Sequence, residues 1–220
     1  MSFKVIANFK SNLTQKEVIS WVKTVKPTPN IVVAPSFIHL SSFLIPNSSY
    51  ALAAQDVSPF PPGSYTGAIN AGQLKDLGVS YCIVGHSERR RYFHETTSEI
   101  AGKVRELLSA GITPIVCLEE KDIVPQFAAL DNELVPKCIF CFEPSADIGG
   151  TTTAPHDVIK SVQLKVSEFA PNSPFMYGGS VTSDNISRLL SLGISGVLVA
   201  TASLDPTSFN QLIHNVTHEL

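Results

Sequence analysis

Residues 81–117 read YCIVG HSERRRYFHETTSEIAGKVRELLSAGI TPIVC, and three pieces of this stretch decide the fold. Tyr81–Gly85 and Thr113–Cys117 are short and β-rich, and both are apolar on both parities. That is the pattern of strands covered on two faces, as in a parallel sheet. Between them, Thr97–Ala110 repeats its apolar residues at helical spacing, and Gly111 stands where a helix stops. The unit is strand, helix, strand. Similar runs recur at Lys4–Asn8, Ile31–Ala34, Ala51–Gln55, Cys138–Glu143, Phe175–Gly178 and Gly196–Ala200, which makes eight. The intervals read as helices: Gln15–Lys26 behind the N-cap Thr14, Pro155–Phe169, Thr182–Leu192 before Gly193, and a last helix begun by Pro206. No composition break or linker interrupts the alternation. A single closed (β/α)8 barrel spanning residues 1–220 is therefore expected, with an open doubly wound sheet as the alternative. The first strand is followed by no glycine-rich dinucleotide fingerprint, which weighs against the open sheet.

The chain has 220 residues, where about 250 is usual for this architecture. The shortfall falls between Cys117 and Glu143. Lys121–Leu130 can supply roughly ten helical residues, about 15 Å, so the fifth helix is expected to shrink to two or three turns. At 44% hydrophobic and a net charge of −3, with no basic run beyond Arg89–Arg91, the composition weighs against a nucleic-acid surface. No apolar stretch approaches the ~18 residues of a membrane span. The N-terminus enters a strand pattern at once, without signal-peptide architecture. Cys82, Cys117, Cys138 and Cys141 all sit in apolar runs, so reduced, buried thiols in a cytoplasmic protein are expected.

In such a barrel the chemistry gathers where strands end at their C-terminal edge. Those ends carry Asn8-Phe9-Lys10, Gln55-Asp56, Gly85-His86-Ser87-Glu88-Arg89-Arg90, Cys117, Phe142-Glu143-Pro144, Tyr177-Gly178-Gly179-Ser180 and Ala200-Thr201-Ala202-Ser203. Polar and ionisable groups from different strands thus meet at one rim. The set resembles the triosephosphate isomerase family along the whole chain. The most specific match is Tyr81–Phe93, with Gly85–Arg90 as its signature; AAQDV (53–57), GSYTG (63–67), NFK (8–10), FEP (142–144) and MYGGSV (176–181) follow the family's order.

The resemblance implies a TIM barrel that interconverts dihydroxyacetone phosphate and D-glyceraldehyde 3-phosphate, with no cofactor and no metal. Such a reaction removes a proton beside a carbonyl and returns it one carbon along, which one carboxylate can do; Glu143 is placed for it. His86 opens a helix, whose positive end keeps the imidazole neutral and able to donate to enediolate oxygens; the same arrangement in triosephosphate isomerase is a known worked case. Lys10 supplies a cation, and Asn8 orients Lys10 or the substrate. Glu88 and Arg89 are expected to hold Lys10 and the residues touching substrate, with Ser87 and Cys117 also close to the centre. Backbone N–H groups at Gly149, Gly179, Ser180, Ala200 and Thr201 are expected to bind the phosphate. The other five histidines are read as structural or solvated.

The pattern is broken in three places. The family's lid reads close to PVWAIGTGK, and here Pro144–Thr152 reads PSADIGGTT. The phosphate turn, normally Gly-Gly, is Ala200-Thr201, so two Cβ atoms crowd the approach. Ala68 stands where the family has glutamate, removing a partner for the arginines after His86. Cys138-Ile139-Phe140-Cys141 spells CxxC, but residues three apart in a strand face opposite ways, so a redox or zinc reading is set aside. The loop Val57–Ala68 is long and Pro-rich, with Phe60 and Tyr65 in it; in the family it enters a second subunit, and Thr66 matches the inserted threonine. A homodimer is expected. Two other functions remain open on sequence: a non-catalytic phosphate-binding dimeric barrel, and a barrel isomerase acting on a larger sugar phosphate.

Overall fold

Every strand of this chain is apolar on both faces because each has two hydrophobic partners, the barrel lumen on one side and a helix on the other. The computed structural model describes residues 3–44, 50–144 and 152–219. Eight parallel strands run β1 (Lys4–Asn8), β2 (Ile31–Ala34), β3 (Ala51–Ala54), β4 (Tyr81–Val84), β5 (Thr113–Leu118), β6 (Ile139–Phe142), β7 (Phe175–Tyr177) and β8 (Gly196–Val199). Each pairs with its sequence neighbours, and β8 closes on β1 with Lys4 opposite Gly196 and Ala7 opposite Val199. Ile6, Val32, Ala53, Ile83, Ile115, Cys117, Ile139, Cys141, Met176 and Leu198 fill the lumen. The alternate positions, such as Val5, Ala7, Val33, Val84, Val116 and Phe140, pack outward against the helices.

The helices are α1 (Gln15–Thr24), α2 (Ala71–Asp76), α3 (Ser87–Tyr92), α4 (Thr97–Ser109), α5 (Ile123–Ala129), α6 (His156–Phe169), α7 (Ile186–Leu190), α8 (Thr201–Leu204) and α9 (Pro206–Glu219). At the start of α1 the Glu17 carboxylate accepts from the Thr14 N–H and hydroxyl, and α4 carries the same box from Thr96 and Glu99. Trp21 of α1 is fully buried among Phe9, Phe43, Tyr50 and Phe209. Its indole N–H donates to Ser203 O at 2.8 Å, tying α1 to α8 across the closure.

The fifth helix is two turns long, preceded by a 3-10 turn at Glu120–Asp122. It covers its strands despite that length because Phe127 stands between Phe140 of β6 and Phe169 of α6, at centroid distances of 4.7 and 4.9 Å. One helix is shorter than the sequence pattern indicates. The spacing predicts a helix over Thr182–Leu192, whereas α7 is helical only from Ile186. Asn185 explains the late start: its carbonyl accepts from Thr182 N–H at 2.9 Å and its amide donates to Ser180 O at 2.8 Å. Side-chain bonds to nearby backbone compete with the helical ladder, and here they win over 182–185. The four cysteines are free and buried, with Cys138 on the outer face and Cys141 in the lumen. Among the described residues no helix is long and apolar enough to cross a membrane.

Candidate active site

The backbone just past β1 sets the first charged group. Lys10 sits at φ 50°, a left-handed conformation that costs a lysine about 1 kcal/mol. Two side chains hold it there: Asn8 Oδ1 accepts from Lys10 N–H at 3.0 Å, and Gln55 Nε2 donates to Lys10 O at 2.9 Å. The ammonium then reaches Glu88 Oε1 at 2.6 Å.

His86 caps α3. Its Nδ1 accepts from the Glu88 N–H at 3.2 Å, so the ring proton belongs on Nε2. Nε2 faces Glu143 Oε1 at 3.2 Å. Glu143 leaves the end of β6 with its N–H on Leu118 O, and only 2% of the residue is exposed. Burial pushes its carboxyl above the usual carboxylate range, against the pull of His86, Lys10, the Cys117 thiol and the Ser87 N–H. That is the shift a general base needs to work near neutrality. Burial, with Cys141 and Glu143 alongside, raises the Cys117 thiol well above its own ordinary value. Such a thiol stays protonated and is no nucleophile. The Ser87 hydroxyl is buried without a hydrogen-bond partner.

The two glycines after Tyr177 are required by close approach. A Cβ at Gly178 would lie 3.1 Å from Glu143 Cγ, and one at Gly179 would lie 2.5 Å from the Tyr177 hydroxyl oxygen. That hydroxyl accepts from Ala154 N–H at 2.8 Å, fixing the chain as it enters α6. Ser180 follows in a left-handed conformation, φ 48°, braced by Asn185. One cavity of about 850 Å3 is lined by Lys10, His86, Glu88, Glu143, Gly179, Ser180, Ala200 and Thr201. The structure thus brings together groups drawn from five strand ends, those of β1, β4, β6, β7 and β8. Gly149, with the rest of 145–151, lies outside the described residues. Asp184 and Arg188 also line the cavity and were not legible as site residues, because a shortened α7 is what turns that segment toward the rim.

Arg89 is elsewhere. It points away from Lys10 and His86 to pair with Asp56 Oδ2 at 2.7 Å and with Glu95. Lys103 of α4, 3% exposed, joins the same two carboxylates, with Asp56 Oδ1 at 2.6 Å. Burial pushes the Asp56 carboxyl up even with Lys103 and Arg89 beside it. Arg90 turns inward to Gly85 O, Cys117 O and the buried Gln126. Both arginines therefore have partners without help from position 68. Lys103→Met should strand two largely covered carboxylates and cost about 3 kcal/mol in urea unfolding; a loss under ~1 kcal/mol would mean that Arg89 alone neutralises them. The loop beside this cluster has its base tied by Ser58 N–H to Ile69 O at 2.8 Å. Its tip is exposed: Phe60 and Tyr65 stack at 4.8 Å with 49% and 44% of their surfaces open, and Thr66 is exposed beside them.

Comparison with known proteins bears on this geometry. The family model described as "Triosephosphate isomerase" matches residues 3–216. Proteins named triosephosphate isomerase from Mesomycoplasma hyopneumoniae (strain 232) and Mycoplasmoides gallisepticum are each 35% identical, covering 96% and 95% of this chain and 98% and 96% of their own lengths. The protein of that name from Clostridium beijerinckii is 32% identical over 96% of this chain and 98% of its own. With a family match across the barrel and relatives aligned almost end to end, this chain belongs to the triosephosphate isomerase family.

Proposed function

We propose that this barrel interconverts dihydroxyacetone phosphate and D-glyceraldehyde 3-phosphate through an enediolate, as one catalytic domain over residues 1–220. The observation that carries the reading is the contact of His86 Nε2 with Glu143 Oε1 at 3.2 Å, in a cavity that also holds Lys10. A substrate that displaces this contact would set its carbonyl oxygen to accept a hydrogen bond from Nε2, leaving the carboxylate to face the neighbouring carbon. Glu143 takes the proton from that carbon and returns it to the next. Neutral His86 donates to whichever enediolate oxygen is charged, and the Lys10 ammonium stabilises the same charge. Asn8 and Gln55 fix Lys10, while Glu88 holds both its ammonium and, through its own N–H, the His86 tautomer. Cys117 and Ser87 flank the carboxylate, and Arg89 acts at a distance by bracing Asp56 and Glu95.

A coupled assay on the purified chain with each triose phosphate tests the reading. Turnover of neither, with inorganic phosphate still bound, would overturn it in favour of a non-catalytic phosphate-binding barrel. Turnover of only a larger sugar phosphate would move the reading to the other barrel isomerase.

The phosphate falls to backbone N–H groups of Gly179, Ser180, Ala200 and Thr201, joined by that of Gly149, which lies outside the described residues. Inorganic sulfate should then compete with substrate, and a crystal grown in sulfate should hold the anion against Ser180 and Thr201. Purely non-competitive inhibition, with the anion bound elsewhere, would count against this turn. The exposed pair Phe60 and Tyr65, with Thr66, supports a homodimer in which this loop is covered by a second copy. Four reduced, buried thiols fit a cytoplasmic setting.

A further inference from the structure

Two of the cysteines meet in a way that the CxxC spelling conceals. Cys141 lies across from Cys117, its register partner on the adjacent strand β5, and both side chains point into the lumen. Glu143, two residues beyond Cys141, shares that face. One ligand atom from each of Cys117, Cys141 and Glu143 lies within 4.8 Å of the other two, and all three residues are buried. Glu143 is 2% exposed; its Oε1 faces His86, while its Oε2 makes no hydrogen bond. Buried carboxylate oxygens are nearly always partnered, and the side chains gathered beside this one are thiols, which makes the three groups a ready ligand set. Gly178, with no side chain, forms the wall between this cluster and the cavity: a Cβ there would lie 3.3 Å from Cys141 Sγ and 3.2 Å from Glu143 Oε1.

We propose that Cys117, Cys141 and Glu143 form a binding site for one thiophilic divalent cation of the zinc class, and that the bound ion silences the barrel by engaging its carboxylate. A tetrahedral ion with metal–sulfur bonds of about 2.3 Å needs sulfurs about 3.8 Å apart, so ligand atoms that all lie within 4.8 Å of one another need to close by at most about 1 Å, within reach of small side-chain rotations. Two thiolates and a carboxylate suit a soft or borderline d10 ion over magnesium or calcium. The balance is simple: each thiol releases its proton to water as its sulfur takes the metal, nothing is oxidised, and a water from the cavity completes the fourth position. The ion and a substrate then compete for Glu143. The three ligands define the site whether or not the chain isomerises triose phosphates; only the inhibition readout rests on that reading.

Cd2+ is the probe, added to the reduced, metal-free protein. Thiolate-to-metal charge-transfer absorption should rise to one equivalent per chain, with proton release, and disappear with EDTA. Cys141→Ala and, should that variant misfold, Cys141→Ser should abolish the one-equivalent signal. Cys138→Ala, altering a thiol on the barrel's outer face, should leave it intact. Turnover, each variant compared with its own metal-free rate, should fall about 10²-fold in the unmodified chain at saturating Cd2+, as expected when a general base is taken away. The signal persisting in both Cys141 variants would overturn the site. So would the absence of any one-equivalent signal in the unmodified chain. A one-equivalent signal without inhibition would keep the ion but separate it from catalysis, overturning the silencing.

Discussion

Glu143→Gln lowers turnover by about 10³-fold and leaves affinity for inorganic phosphate within about a factor of two. The amide keeps the shape and burial of the carboxyl but can no longer accept a proton from carbon. The proposed phosphate site, at Ser180 and the Ala200–Thr201 turn, is not touched by the change. Glu143→Asp tests distance separately. It retains the charge, withdraws the carboxylate by one methylene, and should cost about 10²-fold through misplacement alone. The Gly178 Cβ position, 3.1 Å from Glu143 Cγ, marks how closely the longer side chain is held, and aspartate would lose that wall. Steady-state kinetics with both triose phosphates, alongside isothermal titration with phosphate, provide the measurement. Unchanged kcat in Glu143→Gln would remove this residue from the chemistry.

Removing Phe60–Thr66 should convert the proposed dimer to monomers and take most of the activity with it. The tip presents stacked Phe60 and Tyr65 to solvent in the single chain, while Val57 and Ser58 at its base are buried. Apolar surface of this kind, next to the exposed Tyr92 and Phe93, is what a second copy would cover. In such a dimer Thr66 approaches the partner's site, where packing can hold Lys10 in its left-handed conformation. Losing the loop should therefore lower kcat more than it raises KM, because the charged groups lose their alignment. Sedimentation and an isomerase assay on both proteins decide the matter. A full-length chain that sediments as a monomer at micromolar concentration while turning over normally would sink the idea.

The alternation of strands and helices could be read directly because both faces of each strand are apolar, which leaves an eight-fold signal that polar loops punctuate. The candidate site residues could be placed for a related reason: Glu143 ends one of those runs, Lys10, His86 and Ser180 each follow one within two positions, and the barrel gathers all such ends. What resisted reading depends on partners distant in sequence. Arg89 sits one residue from Glu88 yet serves a different cluster, since Asp56 and Glu95 outcompete the site for its guanidinium. Lys103 looks like any helix lysine until α4 is laid over those carboxylates. The late start of α7 turns on a single asparagine bonding backward to Ser180 and Thr182. For the cysteines, separation along one strand was the wrong question. Cys141 faces away from Cys138 and meets Cys117 through the register of β5 against β6.

The pairing of Lys4–Ala7 with Gly196–Val199 also sets a timetable. A chain made at about 5–20 residues per second needs on the order of ten to forty seconds to bring residue 196 out after residue 4. Throughout that interval the incomplete sheet has an open edge at β1, with N–H and carbonyl groups ready to pair with any passing strand. The Trp21 indole waits just as long for the carbonyl of Ser203. Once the last strand arrives, the edge disappears altogether. The nascent chain on the ribosome, rather than the finished enzyme, is the form of this protein most exposed to aggregation.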